Sequence, residues 1–278
     1  MNTFTAILLG IVQGLTEFLP ISSSGHLVIF QEFLGMNDLE ESHLLFDTFL
    51  HIGTLISIFL VYGKDVWNLV KAFFELLRDI GNRRRIADVS PSRKMLFLLI
   101  VATIPAVVVG FAFKDAIEAL FKSVEFVAVA LLVTGFLLWL TSKLISGTKE
   151  EKDTKYSNAL MIGFFQCAAL MPGISRSGST IVGGLLNGLK KEFAVKFSFL
   201  MSVPAIMGAA VLQIPDLVRQ GFNSEETIPI LAGTLAAAIT GFVAIKFLIA
   251  LLNKGKFYLF SYYCWAVGGV LLLYGLFR

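Results

Sequence analysis

Residues 1–36, MNTFTAILLGIVQGLTEFLPISSSGHLVIFQEFLGM, are apolar enough to enter a bilayer, yet PISSSGH (20–26) interrupts them. A second apolar stretch, 158–188, is broken in the same way by MPGISRSGST (171–180). A simple spanning helix would carry neither cluster, because non-helical backbone at membrane depth persists only where protein buries it or a wet cavity solvates it. Both stretches therefore read as re-entrant helix-loop-helix hairpins. They also align with each other in one constant register: Gly10 with Gly163, Gln13 with Gln166, Ile21 with Ile174, Ser22 with Ser175, Ser24 with Ser177 and Gly25 with Gly178. Interrupted apolar segments at matching places in two halves point to a binding site near the bilayer midplane.

The rest of the chain supplies the frame for those hairpins. Of 278 residues, 56% are apolar and 15% charged, and the mean hydropathy is +0.79. A soluble domain carries roughly a quarter of its residues as charges, so a soluble globule is excluded. Six further runs, 44–62, 95–113, 120–141, 197–214, 228–250 and 257–277, are each close to the roughly 20 residues that cross a bilayer as helix. The expected fold is an all-α polytopic membrane protein: six transmembrane helices plus the two hairpins in an inverted-topology repeat. It forms a single integral membrane domain over 1–278, with repeat one at about 1–113 and repeat two at about 158–277. The first 20 residues lack a basic n-region and a small-residue cleavage site, so they read as part of the fold.

Charge sets the expected orientation. If the loop 63–94, rich in Lys and Arg from Lys64 to Lys94, is cytoplasmic, alternation places Lys143, Lys149, Lys152, Lys155, Lys190, Lys191, Lys196, Lys246, Lys254 and Lys256 on that side too. Only Lys114, Lys122, Arg219 and Arg278 fall outside, as the positive-inside rule prefers. Three spans then separate the hairpins, so they enter from opposite faces and their loops can meet. The net charge of +3 is spread over short loops, so nothing in it points to nucleic acid. Cys167 and Cys264 stand alone in apolar segments and read as packing thiols, Trp139 and Trp265 as interfacial anchors. GNRRR (81–85) reads as a topology and headgroup signal, and His43 as a solvated loop residue.

Within the broken segments the polar residues are few. Gln13 and Glu17 share one helix face, and a carboxylate at membrane depth is costly unless paired, hydrated or metal-bound. Ser22, Ser23 and Ser24 taken alone mean a turn or an N-cap; beside Gly25 and His26, at a helix N-terminus whose N–H groups attract anions, they suit a phosphate cradle with a hydroxyl nucleophile. Arg176 aligns with Ser23, and its guanidinium fork matches a phosphate or carboxylate bidentately. A bare Arg176–Glu17 ion pair is the simpler use of the same residues. Ser175, Ser177, Ser179 and Thr180 add hydroxyls around it, one or two of them as caps. Asp47 and His51 share a face in the first span and either line the cavity or satisfy each other. Together these groups suit a phosphate-bearing molecule that lives in lipid. Oxygen donors from Glu17 and Gln13 suit a divalent cation, Mg²⁺ or Ca²⁺, better than zinc. Either Ser23 or His26 is the nucleophile.

QGLTEFLPISSSGH (13–26) and PGISRSGST (172–180), with FDTFLHIGT between them and FSFLMSVPAIMGA after, closely resemble the undecaprenyl-diphosphate phosphatase family of bacterial bacitracin-resistance membrane proteins. The resemblance spans essentially the whole chain. It implies hydrolysis of undecaprenyl diphosphate to the monophosphate and inorganic phosphate, recycling the lipid carrier of peptidoglycan synthesis with a divalent cation, in the bacterial inner membrane, at a site open to the periplasmic or extracellular face. By position it implies catalytic roles for Glu17, Ser23, His26 and Arg176. Substrate contacts fall on Gln13, Ser22, Ser24, Gly25, Ser175, Ser177 and Thr180, and metal contacts on Glu17 and Gln13. Gln13 stands where the commoner family pattern has a second Glu. The expected partners are the prenyl diphosphate, membrane lipids and a second copy in a homodimer. The competing reading is a secondary transporter or lipid-carrier flippase, which the inverted repeat alone would favour.

Overall fold

Every hydrogen-bonding group of the backbone must be satisfied within the chain in a bilayer, and an α-helix does this locally. The computed structural model follows that rule. It describes residues 2–33, 40–82, 90–143, 147–220 and 224–277, with backbone alone at 40–44, 209, 214–220 and 224–226; the side chains of His43 and Arg219 lie outside the described part. Among the described residues there are α-helices, two short 3-10 turns and no strand: α1 (Thr3–Phe18), α2 (Ser23–Phe33), α3 (Glu40–Gly81), α4 (Pro91–Ala112), α5 (Lys114–Leu120), α6 (Val124–Leu140), α7 (Tyr156–Ala168), α8 (Arg176–Leu186), α9 (Lys191–Gln220), α10 (Ser224–Asn253) and α11 (Leu259–Leu276).

Six of these are long and apolar enough to span a membrane: Leu45–Gly81, Pro91–Ala112, Val124–Lys143, Lys191–Gln213, Thr227–Asn253 and Leu259–Leu276. The protein is a multi-pass, all-α membrane protein. Its many exposed large side chains, such as Leu60, Phe111, Val108 and Leu235, belong against lipid. The four short helices come in two pairs where the sequence is broken: α1 and α2 have 16 and 11 residues, α7 and α8 have 13 and 11.

One expectation needs correction. The first span does not end at residue 62; α3 kinks at Tyr62, where φ is −115° and ψ 26°, and runs on to Gly81. VWNLVKAFFELL (66–77) has apolar residues at helical spacing, and Val66, Ala72 and Leu76 are buried. At 42 residues this helix exceeds what a bilayer needs. Its far end is fastened by Lys196 to Asp65 (2.5 Å) and by buried Arg93 to Asp79 (2.9 Å). The Trp265 indole Nε1 donates to Leu132 O at 3.2 Å in the crossing of α6 and α11. Cys264 is buried and Cys167 only half-buried.

Helix packing uses small residues, as expected where lipid offers no hydrophobic drive between helices. Gly10 of α1 lies against the backbone of Gly233 and the methyl of Ala236 on α10. Gly163 of α7 lies against the backbone of Ala102 and the ring of Pro105 on α4. The two contacts match in kind and in their three-residue spacing, between residues that the sequence register had already aligned. The α6–α11 crossing is likewise alike from both sides, with Gly135 against Ser261 O and Trp265, and Gly268 against Ala128 O and Leu132.

Candidate active site

Pro20 cannot donate to a helix, and its ring ends α1. The chain then turns through Ser22, which holds a left-handed φ of 72°, a conformation uncommon for a residue with a Cβ. Its hydroxyl accepts from Gly25 N–H at 3.3 Å, capping the start of α2. The second loop turns at Gly173, φ 90°, and Ser175 Oγ caps α8 by accepting from Gly178 N–H at 3.0 Å. Each short helix thus starts at the same place in the register, α2 at Ser23 and α8 at Arg176.

The two loops touch. A Cβ on Gly25 would lie 3.0 Å from Gly173 Cα, so only glycine allows this approach. Ser177 Oγ bridges the loops by donating to Leu19 O at 3.3 Å. Thr134, on α6, clasps the second loop: its hydroxyl donates to Gly173 O at 2.9 Å and accepts from Ser175 N–H at 3.1 Å.

Glu17 is the centre of the resulting site. One carboxylate oxygen pairs with the Arg176 guanidinium. The other, Oε2, accepts from Ser23 Oγ at 2.6 Å and from Gln13 Nε2 at 3.0 Å, and His51 Nε2 stands 3.8 Å away. Such a buried carboxylate would be costly without these partners. The Glu17 side chain is only 3% exposed, whereas Arg176 is 24% and His51 35% exposed. The mouth of the site is therefore formed by the cation and the imidazole, with the carboxylate at its floor. Next to Glu17 in the chain, buried Phe18 packs edge-on against Phe199, at 5.2 Å between ring centres.

Gln13, Glu17, Ser23 and Arg176 are thus gathered into one hydrogen-bonded group. Ser22, Gly25, Ser175 and Ser177 build the turns around it, and Ser24 Oγ lies 3.3 Å from Ser22 Oγ. Thr180 is turned away from the group: its hydroxyl donates to Arg176 O at 2.8 Å and meets Ser198 Oγ at 2.6 Å, which steadies the helix carrying Arg176. His26 is also apart. Its Nδ1 lies 2.7 Å from Ser22 O and its Nε2 2.8 Å from Tyr263 Oη. Asp47 and His51 do not satisfy each other through their side chains. His51 Nδ1 donates to the Asp47 backbone carbonyl at 2.7 Å, and the Asp47 carboxylate is faced by Gln31 Nε2 at 3.5 Å. His51 lines the site, one of the two uses its shared face with Asp47 had offered. Thr134, Ser198 and Tyr263 are contributions that the sequence reading missed, because each is a single polar residue in an apolar helix.

Fold and site together define a multi-pass membrane protein with a carboxylate, a hydroxyl and a guanidinium converging from two broken helices. Residues 6–270 match the model of the bacitracin resistance protein BacA family, and the chain belongs to that family. It is 46% identical over 277 residues, 99% of this chain and all of the relative, to a protein of Alkaliphilus metalliredigens named undecaprenyl-diphosphatase. Proteins of the same name from Halothermothrix orenii, 44% identical over the full length of both chains, and from Methanosphaera stadtmanae, 40% identical over 98% of each, are similar along the same span.

Proposed function

We propose that this chain is an undecaprenyl-diphosphate phosphatase, hydrolysing the prenyl diphosphate to undecaprenyl phosphate and inorganic phosphate and so conferring bacitracin resistance. Membership of the BacA family and the names of its relatives support the activity. The observation that supports this site is the Ser23 hydroxyl donating at 2.6 Å to the same Glu17 whose other oxygen meets Arg176. On attack, Ser23 Oγ bonds to the terminal phosphorus, its proton passes to Glu17 Oε2, and the bond to the bridging oxygen breaks, releasing undecaprenyl phosphate. Glu17 passes that proton to the departing phosphate oxygen; water then displaces Ser23 from phosphorus, Glu17 taking the water's proton and returning it to Ser23 Oγ as inorganic phosphate forms. Arg176, at the mouth, turns its fork to the incoming phosphate and offsets the charge spread over its oxygens. His26 is less suited to attack, because both of its ring nitrogens are engaged.

A divalent cation fits this donor set. Gln13 Oε1 is buried without a hydrogen-bond partner, one helical turn from the Glu17 carboxylate, and Gln13, Glu17 and Ser23 offer oxygen donors only, which Mg²⁺ and Ca²⁺ prefer. Bound there, the cation would supply further neutralisation of phosphoryl charge. The short helix pairs are read as hairpins that enter the membrane without crossing it, and the matched glycine contacts support two repeats related by pseudo-symmetry, with repeat one extending through α6. The site is read as facing the outside of the cytoplasmic membrane.

Phosphate release from a long-chain prenyl diphosphate by the purified protein in detergent tests the activity; a transporter would release none. In a background without Cys167 and Cys264, a cysteine at Lys122 should react with an impermeant thiol reagent in intact cells and one at Asn82 should be protected. The reverse pattern would overturn the orientation.

A further inference from the structure

We propose that Tyr263 is a positioning residue for the reaction, holding His26 in one tautomer and one orientation at the edge of the site. The argument starts from the hydrogen-bonding capacity of imidazole. A backbone carbonyl can only accept, so the 2.7 Å contact between His26 Nδ1 and Ser22 O places a proton on Nδ1. In the neutral ring Nε2 is then an acceptor, and the group that meets it is the Tyr263 hydroxyl at 2.8 Å. The two rings lie nearly parallel, 14° apart with centres 5.7 Å distant, so the imidazole is held at both nitrogens with the phenol beside it.

The position of Tyr263 argues against a mere packing role. It is 43% exposed, on a helix whose main packing partner is α6, at a site where any apolar side chain would serve against lipid. Its hydroxyl nevertheless faces the interior and finds a nitrogen of the first broken loop. Through His26 the effect reaches the turn itself. Ser22 O accepts from both the ring Nδ1 and, at 3.2 Å, the backbone N–H of His26, and Ser22 is the residue in the left-handed conformation next to Ser23. Strained backbone persists when its surroundings over-determine it. α6 and α11 thereby play parallel parts: Thr134 holds the second loop, and Tyr263, by way of His26, holds the first.

This inference rests on the first loop being the reaction site, and the test separates the two. The chain contains three histidines, so ¹⁵N labelling of histidine in the full-length protein resolves the His26 ring. The wild type should show the protonated Nδ1 and unprotonated, hydrogen-bonded Nε2 pattern. Tyr263→Phe, which keeps the aromatic ring, should lose that fixed pattern and lower kcat by about tenfold with KM changed less than about twofold. In a His26→Ala background, Tyr263→Phe should cost nothing further. An unchanged His26 pattern, an unchanged kcat in Tyr263→Phe, or a full additional loss in the double variant would each overturn the proposal. Wild-type turnover in His26→Ala would overturn it as well, since the reaction would not need the ring that Tyr263 holds, while leaving the phosphatase reading and its Ser23–Glu17 pair untouched.

Discussion

In the first broken loop Glu17 stands ahead of the turn and Ser23 opens the helix; at the matching places the second loop has Leu170 and Arg176. The two turns differ as well. The first puts its left-handed residue at Ser22, the second at Gly173, which matches Pro20 in register. One repeat therefore supplies the carboxylate, the hydroxyl and a strained serine, the other the guanidinium on a relaxed glycine turn. The carboxylate of the first loop finds its charge partner in the guanidinium of the second, and the first loop's own Ser23 and Gln13 complete its hydrogen bonds. Two similar loops carry unlike residues at two equivalent positions, and three of those, Glu17, Ser23 and Arg176, meet in one cluster.

The comparison breaks most visibly at Glu17. Glu17→Gln removes the base for Ser23 and leaves Arg176 without its anion, and turnover should fall by about 10⁴-fold while the protein still accumulates in the membrane. Phosphate release across a range of Mg²⁺ concentrations checks this, and wild-type turnover at saturating metal would make Glu17 structural. Arg176→Ala should cost about 10³-fold, as lost phosphate clamps do. Arg176→Lys should recover little of it, because an ammonium cannot reproduce the two-pronged contact; near-normal activity in that variant would show that geometry here is unimportant.

A third test concerns the turns. Gly173→Ala must place a methyl on a left-handed backbone beside Ala130 and Val127 and should lower stability by about 2 kcal/mol. Gly25→Ala, with no such φ and a 3.0 Å approach to Gly173 Cα, should cost less in thermal unfolding but separate the loops. Equal melting points for the two variants would contradict the difference in turn geometry. The smallest effect is expected at Gln13. Gln13→Ala should weaken the apparent Mg²⁺ affinity, a loss that added Mg²⁺ partly restores, and Gln13→Glu should remain within about threefold of wild type. Insensitivity of both variants to metal concentration would sever Gln13 from the cation.

Much of this was legible without coordinates. Composition and run length determined an all-α membrane protein with six spans, because every apolar window of about 20 residues has one stable form in lipid. The Pro/Ser/Gly clusters determined where the helices break, and the lone charges Glu17 and Arg176 marked the two residues that the structure pairs, since an intramembrane charge is costly unless paired. Periodicity also held the continuation of α3 past Tyr62, but a count of Lys and Arg read as a loop concealed it.

Tertiary structure alone decided which polar residues belong together. That Ser23 faces Glu17 while His26 faces away, that Thr180 props Arg176 from below, and that Thr134 and Tyr263 reach in from α6 and α11 all depend on side-chain direction across helices far apart in sequence. A single hydroxyl in an apolar helix leaves no local pattern, because hydropathy is set by its neighbours. What it bonds to is set by how closely glycines such as Gly25, Gly135 and Gly268 let the backbones approach.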